Sequence, residues 1–105
     1  MLTQSLANTA WAFATADRPD ALLFAALARA AEWRLGEFNA QELANTAWAF
    51  ATVDRSDALL FAALARGAES RLGEFNAQEL ANTAWAFAKA DQSDALLFVA
   101  LARVA

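Results

Sequence analysis

Few side chains in this sequence could carry out chemistry. Histidine, cysteine and tyrosine are absent, and Lys89 is the only lysine. General acid–base catalysis, nucleophilic catalysis and zinc binding depend mostly on such groups. The titratable side chains are instead dominated by twelve carboxylates. We therefore expect no enzyme activity, no cofactor and no zinc site.

The carboxylates follow the pattern of helix-end residues rather than that of metal ligands. Asp17 and Asp20 lack the glycine-bearing loop that a calcium site uses. An acidic side chain at a helix N-terminus is stabilised by the helix dipole by roughly 0.3–1 kcal/mol. Eight of the twelve acids fall at or near predicted helix starts: Asp17, Asp20, Glu42, Asp54, Asp57, Glu79, Asp91 and Asp94. We therefore expect no metal site.

The chain repeats itself with a period of 37 residues. The phrase Leu-Ala-Asn-Thr-Ala-Trp-Ala-Phe starts at Leu6, Leu43 and Leu80. A period of this length is typical of one supersecondary unit that stacks on its neighbours. Of the 105 residues, 59% are hydrophobic, and stacking would place their surface between the units. The predicted organisation is one array of three repeats: 1–42, 43–79 and the incomplete 80–105.

Each repeat predicts two helices. Asn39 is a good N-cap for the first, and Glu42 three residues later completes a capping box. Phe38 and Leu43 are spaced as a hydrophobic staple. This helix should end at about Val53, and residues 75–80 repeat the same start signal.

The second helix is expected from about Ala58 to Leu72, after a turn at 54–57. Gly73, like Gly36 one repeat earlier, is a natural left-handed helix stop. Alanine dominates and apolar residues do not alternate, which argues against strands. The predicted fold is all-α, an α-solenoid of stacked antiparallel helical hairpins.

The four tryptophans are of two kinds. Trp11, Trp48 and Trp85 hold the same repeat position, and we expect them in the core between repeats, with an exposed stacking platform as the alternative. Trp33 differs, because its counterpart is Ser70. It ends a row that points away from the predicted core: Leu22, Ala26, Arg29 and Trp33. We expect Trp33 to be partly exposed, where it either stacks on Arg29 or anchors a protein partner.

The phrase Phe-Asn-Ala-Gln-Glu-Leu-Ala-Asn-Thr-Ala-Trp-Ala-Phe-Ala, at 38–51 and 75–88, resembles the octotricopeptide and heptatricopeptide repeats. These are helical-hairpin repeats of organellar proteins in algae and other protists. The resemblance covers nearly the whole chain. It implies an α-solenoid in a chloroplast or mitochondrion that binds RNA on the concave face formed by its first helices. The RNA-contact candidates that it implies are Asn8, Asn45, Asn82, Thr9, Thr46, Thr83, Thr15, Thr52 and Lys89.

Charge and the apolar ends favour a structural role over RNA binding. RNA binders usually present a basic face to phosphates, whereas this chain has a formal charge of −4. Solenoids normally end in polar capping repeats, whereas Leu2 at one end and Val104 and Ala105 at the other are apolar. The sequence therefore predicts either a fragment of a longer array or end surfaces that other chains cover.

We therefore expect a non-enzymatic scaffold, a small structural or linker subunit of a larger organellar assembly such as a photosynthetic or respiratory membrane complex. Its partners would be protein subunits, with Trp33, Arg29 and Leu2 as contact candidates. The alternative is an RNA-binding module of an organellar RNA-processing or translation factor, with single-stranded RNA as its ligand. We expect no DNA partner. We also expect no transmembrane segment, because no run of about 18 consecutive apolar residues occurs.

Overall fold

A computed structural model describes residues 3–16, 21–53 and 58–90. These residues form α-helices and short 3₁₀ helices, with no strand among them, so the all-α prediction is confirmed for this part of the chain. The α-helices are α1 (Thr3–Thr15), α2 (Ala21–Trp33), α3 (Ala40–Thr52), α4 (Ala58–Ser70) and α5 (Ala77–Lys89). The 3₁₀ helices span Leu35–Glu37 and Leu72–Glu74. Leu2, the predicted turns at 17–20 and 54–57, and the segment 91–105 lie outside the described residues.

The starts of α3 and α5 are capping boxes, as predicted. The Asn39 side chain accepts a hydrogen bond from the Glu42 backbone N–H at 2.8 Å, and the Glu42 carboxylate accepts one from the Asn39 N–H at 2.9 Å. Asn76 and Glu79 form the same two bonds at 2.8 and 3.0 Å. The boxes therefore satisfy backbone N–H groups that a helix start otherwise leaves unpaired.

The helix ends differ from the prediction. The second helix of the middle repeat ends at Ser70 rather than at Leu72. A 3₁₀ helix follows, in which backbone N–H groups donate to carbonyls three residues back at 2.9 to 3.2 Å. Gly73 and Gly36 lie inside these 3₁₀ helices without a left-handed backbone, so the predicted left-handed stops are wrong. The tighter hydrogen bonds satisfy the terminal carbonyls instead.

The helices pack in two layers. In the first layer α1 packs against α3, and α3 packs against α5. In the second layer α2 packs against α4. The layers are joined where α1 packs against α2 and α3 packs against α4. No described helix is long and apolar enough to cross a lipid bilayer.

The core between the layers contains two equivalent pairs of phenylalanine rings. Phe24 meets Phe50 edge to face, with ring centroids 5.1 Å apart and an interplanar angle of 85°. The same contact recurs between Phe61 and Phe87 at 5.0 Å and 83°. Each ring is only 1% exposed. The second helix of one repeat is thereby fixed against the first helix of the next, in the geometry that aromatic pairs prefer.

Candidate interaction surfaces

The accessible side of α1, α3 and α5 presents one repeating set of side chains. Positions spaced i, i+4, i+7 and i+11 lie on one face of a helix. In α3, which has a neighbour on each side, every residue from Leu43 to Ala51 outside this spacing is buried. We call this surface the first-helix row, and it consists of Gln4, Asn8, Trp11, Thr15, Gln41, Asn45, Trp48, Thr52, Gln78, Asn82, Trp85 and Lys89.

The first-helix row includes six of the predicted RNA-contact candidates: Asn8, Asn45, Asn82, Thr15, Thr52 and Lys89. The threonines that follow the asparagines lie elsewhere. Thr46 and Thr83 are each 2% exposed, and the Thr83 hydroxyl donates to the Glu79 carbonyl at 2.7 Å, while Thr9 is half-buried. The expectation that Thr46 and Thr83 contact a ligand is therefore wrong, because each points between packed helices.

The glutamines with which the first-helix row starts on each helix were not predicted as candidates. Gln4, Gln41 and Gln78 are all exposed. Each lies four residues before an asparagine of the row. Because residues four apart lie on the same side of a helix, this spacing is the signal that would have predicted them. Their amides add hydrogen-bond donors and acceptors to the surface.

The tryptophans of the first-helix row are more accessible than expected. Trp11 and Trp85 are 47% and 46% exposed, so the prediction that they fill the core is wrong for these two rings. Trp48 is half-buried between the neighbouring helices. The ring centroids of Trp11 and Trp48 are 6.5 Å apart, and their planes are tilted by 32°. The indole rings of α1 and α3 are therefore adjacent on the row.

The chemistry of the row changes at its last position. The Thr15 hydroxyl donates to the Trp11 carbonyl at 3.0 Å, whereas the buried Thr52 hydroxyl oxygen has no hydrogen-bond partner among the described residues. In the third repeat an exposed Lys89 occupies this position. Amides, indoles and hydroxyls bind ligands through hydrogen bonds and stacking. The row therefore presents amides and indole rings, with one cation at its end.

The outer side of α2 and α4 exposes large apolar side chains. Leu22 and Trp33 are 83% and 88% exposed, and Leu59 is 65% exposed. The exposure of Trp33 agrees with the expectation from its replacement by serine one repeat later. We call this surface the second-helix row, and it consists of Leu22, Ala26, Arg29, Trp33, Leu59, Arg66 and Ser70. Exposed apolar side chains that form a contiguous patch mark interaction surfaces on protein exteriors.

Arg29 of the second-helix row is held by a neighbour on its own helix. Its Nε atom lies 2.6 Å from a carboxylate oxygen of Glu32, and the Arg29 side chain is about half exposed. The ion pair fixes the position of the guanidinium one turn before Trp33. The predicted stacking of Arg29 on Trp33 stays a prediction.

A cleft of about 340 Å³ separates the ends of α2 and α4 beside the second-helix row. Two of its polar side chains are engaged inside the chain. Arg71 donates from Nη2 to the Gly36 carbonyl at 2.7 Å, which joins two repeats, and the Ser70 hydroxyl donates to the Gly67 carbonyl at 2.9 Å. The cleft is therefore a junction between repeats. Its lining residues are Glu32, Leu35, Gly36, Ala63, Arg66, Gly67, Ser70 and Arg71.

No protein-family model, curated protein sequence or solved structure matches this chain. Among the described residues, no group of three or more carboxylates is placed to hold a metal ion. The first-helix row and the second-helix row are the two candidate interaction surfaces of the described residues.

Proposed function

We propose that this chain is a non-enzymatic helical-repeat scaffold that holds protein subunits together in a larger assembly. The observation that carries the proposal is the second-helix row, where Trp33 and Leu22 are 88% and 83% exposed. Burial of apolar area against a partner contributes roughly 25 cal/mol per Å². Tryptophan and arginine are also the residues that most often dominate binding energy at interfaces. Trp33 and Arg29 are the central contacts that we assign to a partner.

The scaffold that we propose is an α-solenoid of antiparallel hairpins. Its support is the recurrence of one contact 37 residues apart, first between Phe24 and Phe50 and then between Phe61 and Phe87. Equivalent packing in successive repeats extends a surface in one direction, which suits a scaffold. The resemblance to octotricopeptide repeats supports a chloroplast or mitochondrial location, with a photosynthetic or respiratory complex as an assembly that offers apolar contacts.

The test is recovery of partner subunits with a tagged chain from the cells that produce it. Trp33→Ser places at position 33 the residue that the next repeat carries at Ser70. We expect it to lower the recovery of specific partners by about tenfold or more, because loss of a hot spot costs about 2 kcal/mol. Trp85→Ser, the same change on the first-helix row, is the matched control and should leave recovery unchanged. Equal recovery by wild type and Trp33→Ser would reject Trp33 as the anchor.

Binding of single-stranded RNA is a second candidate function, and the first-helix row favours it. Indole rings can stack on bases for about 1–3 kcal/mol each, and the asparagine amides can donate to and accept from base edges. Trp11 and Trp48 lie side by side with centroids 6.5 Å apart, beside Asn8 and Asn45. Lys89 is the one lysine of the chain. We therefore expect weak binding carried mainly by stacking.

The RNA candidate is tested by fluorescence anisotropy with labelled single-stranded homopolymers at low and high salt. If stacking carries the binding, Trp48→Ala should weaken it about tenfold, and Trp33→Ala on the opposite surface should not. The salt dependence should be shallow, with the logarithm of the binding constant falling with a slope of about −0.7 against the logarithm of the salt concentration for one neutralised phosphate. Absence of measurable affinity at low salt would eliminate this candidate.

A further inference from the structure

The first helix, α1, exposes residues that are buried at the same position in the later repeats. Phe13 is 37% exposed and Ala12 is also exposed. Their counterparts in α3 and α5 are at most 1% exposed: Ala49, Phe50, Ala86 and Phe87. The helices α3 and α5 each have a preceding first helix packed against them, whereas α1 has none among the described residues. The exposed face of α1 is therefore the face that a preceding repeat covers, with Phe13 at the position where Phe50 and Phe87 pack on a second helix.

The last described helix, α5, exposes a different face. Ala81 and Ala88 are exposed, and Leu80 and Ala84 are half-buried. The counterparts of these four residues in α1 and α3 are all buried: Leu6, Ala7, Ala10, Ala14, Leu43, Ala44, Ala47 and Ala51. Both α1 and α3 have a following first helix packed against them. The exposed face of α5 is therefore the face that a following first helix covers.

The two exposed faces are the two halves of an interface that the chain already makes twice. The following face of α1 packs on α3, and the following face of α3 packs on α5. Neither exposed face carries a charge, because the α1 face beside a preceding first helix consists of Thr9, Ala12 and Ala16, and the α5 face consists of Leu80, Ala81, Ala84 and Ala88. Packing one face on the other buries no ion, so no charge desolvation opposes it.

We propose that copies of this chain associate head to tail, with the exposed face of α5 in one copy packed on the exposed face of α1 in the next. The contact continues the α1–α3 and α3–α5 interface from one copy to another. Two different faces meet, so the association is heterologous and extends into an open row of copies rather than closing as a symmetric dimer. The inference rests on the solenoid arrangement proposed above and not on the second-helix row.

The experiment is sedimentation velocity on the whole chain and on two single variants. Wild type should sediment with a mass that rises above the monomer's 11.3 kDa as its concentration increases. Ala12→Arg blocks the α1 face, and Ala81→Arg blocks the α5 face. Each variant alone should be monomeric, with association weakened about tenfold or more by the overpacked contact. Their equimolar mixture should form a dimer and nothing larger, because only one productive pair of faces remains.

Ala62→Arg is the matched control, because Ala62 and its counterpart Ala25 are both exposed in the second layer. It should associate as wild type does. Circular dichroism checks that each variant is folded. Ala16→Arg is a second variant of the α1 face, and Ala88→Arg is a second variant of the α5 face. A wild-type monomer up to about 100 µM would overturn the proposal, since even a modest interface is occupied there. Association of Ala12→Arg alone, or no dimer in the mixture, would also overturn it.

The outcome is separate from that of the partner-recovery test. Trp33 lies in the second-helix row and outside both exposed faces, so Trp33→Ser should self-associate as wild type does. Self-association of Trp33→Ser together with lost partner recovery supports both proposals. Loss of self-association in Trp33→Ser would contradict the assignment of the interface to α1 and α5.

Discussion

The first-helix row and the second-helix row differ in how their chemistry changes along the chain. In the first-helix row glutamine, asparagine and tryptophan recur unchanged in three helices, and only the last position varies, from threonine to Lys89. In the second-helix row a large indole at Trp33 is replaced by Ser70 one repeat later. A surface whose amides and indoles recur suits a ligand that repeats its own groups, whereas a surface that loses its indole in the next repeat suits one partner in one orientation.

The rows also differ in how strongly the fold holds their tryptophans. Trp48 is half-buried, and its ring centroid is 6.5 Å from that of Trp11. Trp33 is 88% exposed and has little packing to lose. Trp48 therefore contributes to folding as well as to any ligand contact. Exposure therefore distinguishes a side chain that stabilises the packing of the helices from one that only a partner would bury.

The largest expected effect tests the core on which both rows depend. Phe50→Ala should lower the free energy of unfolding by about 3–5 kcal/mol, because it removes a ring that is 1% exposed and packed edge to face on Phe24. Phe13→Ala is the matched control at the same repeat position and should cost less than half as much, since Phe13 is 37% exposed. Urea unfolding measures both. Equal losses would show that the two layers are not held by the Phe24–Phe50 contact.

An intermediate effect compares tryptophans on the two rows directly. Trp48→Ala should cost about 1–3 kcal/mol of unfolding free energy, because the ring is half-buried and contacts Trp11. Trp33→Ala should stay within about 0.5 kcal/mol of wild type, as exposed substitutions do. Urea denaturation of the two variants beside wild type gives the difference. A large loss of unfolding free energy in Trp33→Ala would contradict this difference between the two rows, because that ring would then belong to the folded core.

The smallest expected effect concerns two asparagines of α5 with different roles. Asn76→Ala removes the capping box, whose Asn76 side chain accepts from the Glu79 N–H at 2.8 Å, and should cost about 1 kcal/mol. Asn82→Ala, on the first-helix row, should be neutral or slightly stabilising, because alanine is the better helix former. Thermal unfolding followed by circular dichroism distinguishes the two. If Asn82→Ala lowered the stability more than Asn76→Ala, Asn82 would stabilise the fold in spite of its accessible position.

The helix starts were predictable because their signals are local. Asn39 and Glu42 are three residues apart, and the hydrogen bonds between them need no distant partner. The ends of the second helices were not predictable in the same way. The 3₁₀ helix around Gly36 receives a hydrogen bond from Arg71, which is 35 residues away in the sequence. A glycine near a helix end therefore indicated a stop but not its geometry.

The candidate surfaces were predictable only in part. The repeat placed Asn8, Asn45 and Asn82 at equivalent positions, and the structure places them on one accessible face. It also buries Thr46, a neighbour of Asn45 in the sequence, to 2% exposure. Adjacent residues of a helix point in directions about 100° apart, so one can face a ligand while the next faces another helix. Asparagine and threonine are both polar, so polarity alone did not predict which of the two is accessible.

The sequence by itself determined the 37-residue period, the capping boxes of α3 and α5, and a set of side chains without histidine or cysteine. Local hydrogen bonds and composition suffice for these features. Only the tertiary structure decided which side of each helix remains accessible. The helices are apolar over more than half of their circumference, so hydrophobic periodicity selects no single buried face. Neighbouring helices make that selection, which is why Trp11 is exposed, Thr83 is buried, and α1 and α5 expose opposite halves of one interface.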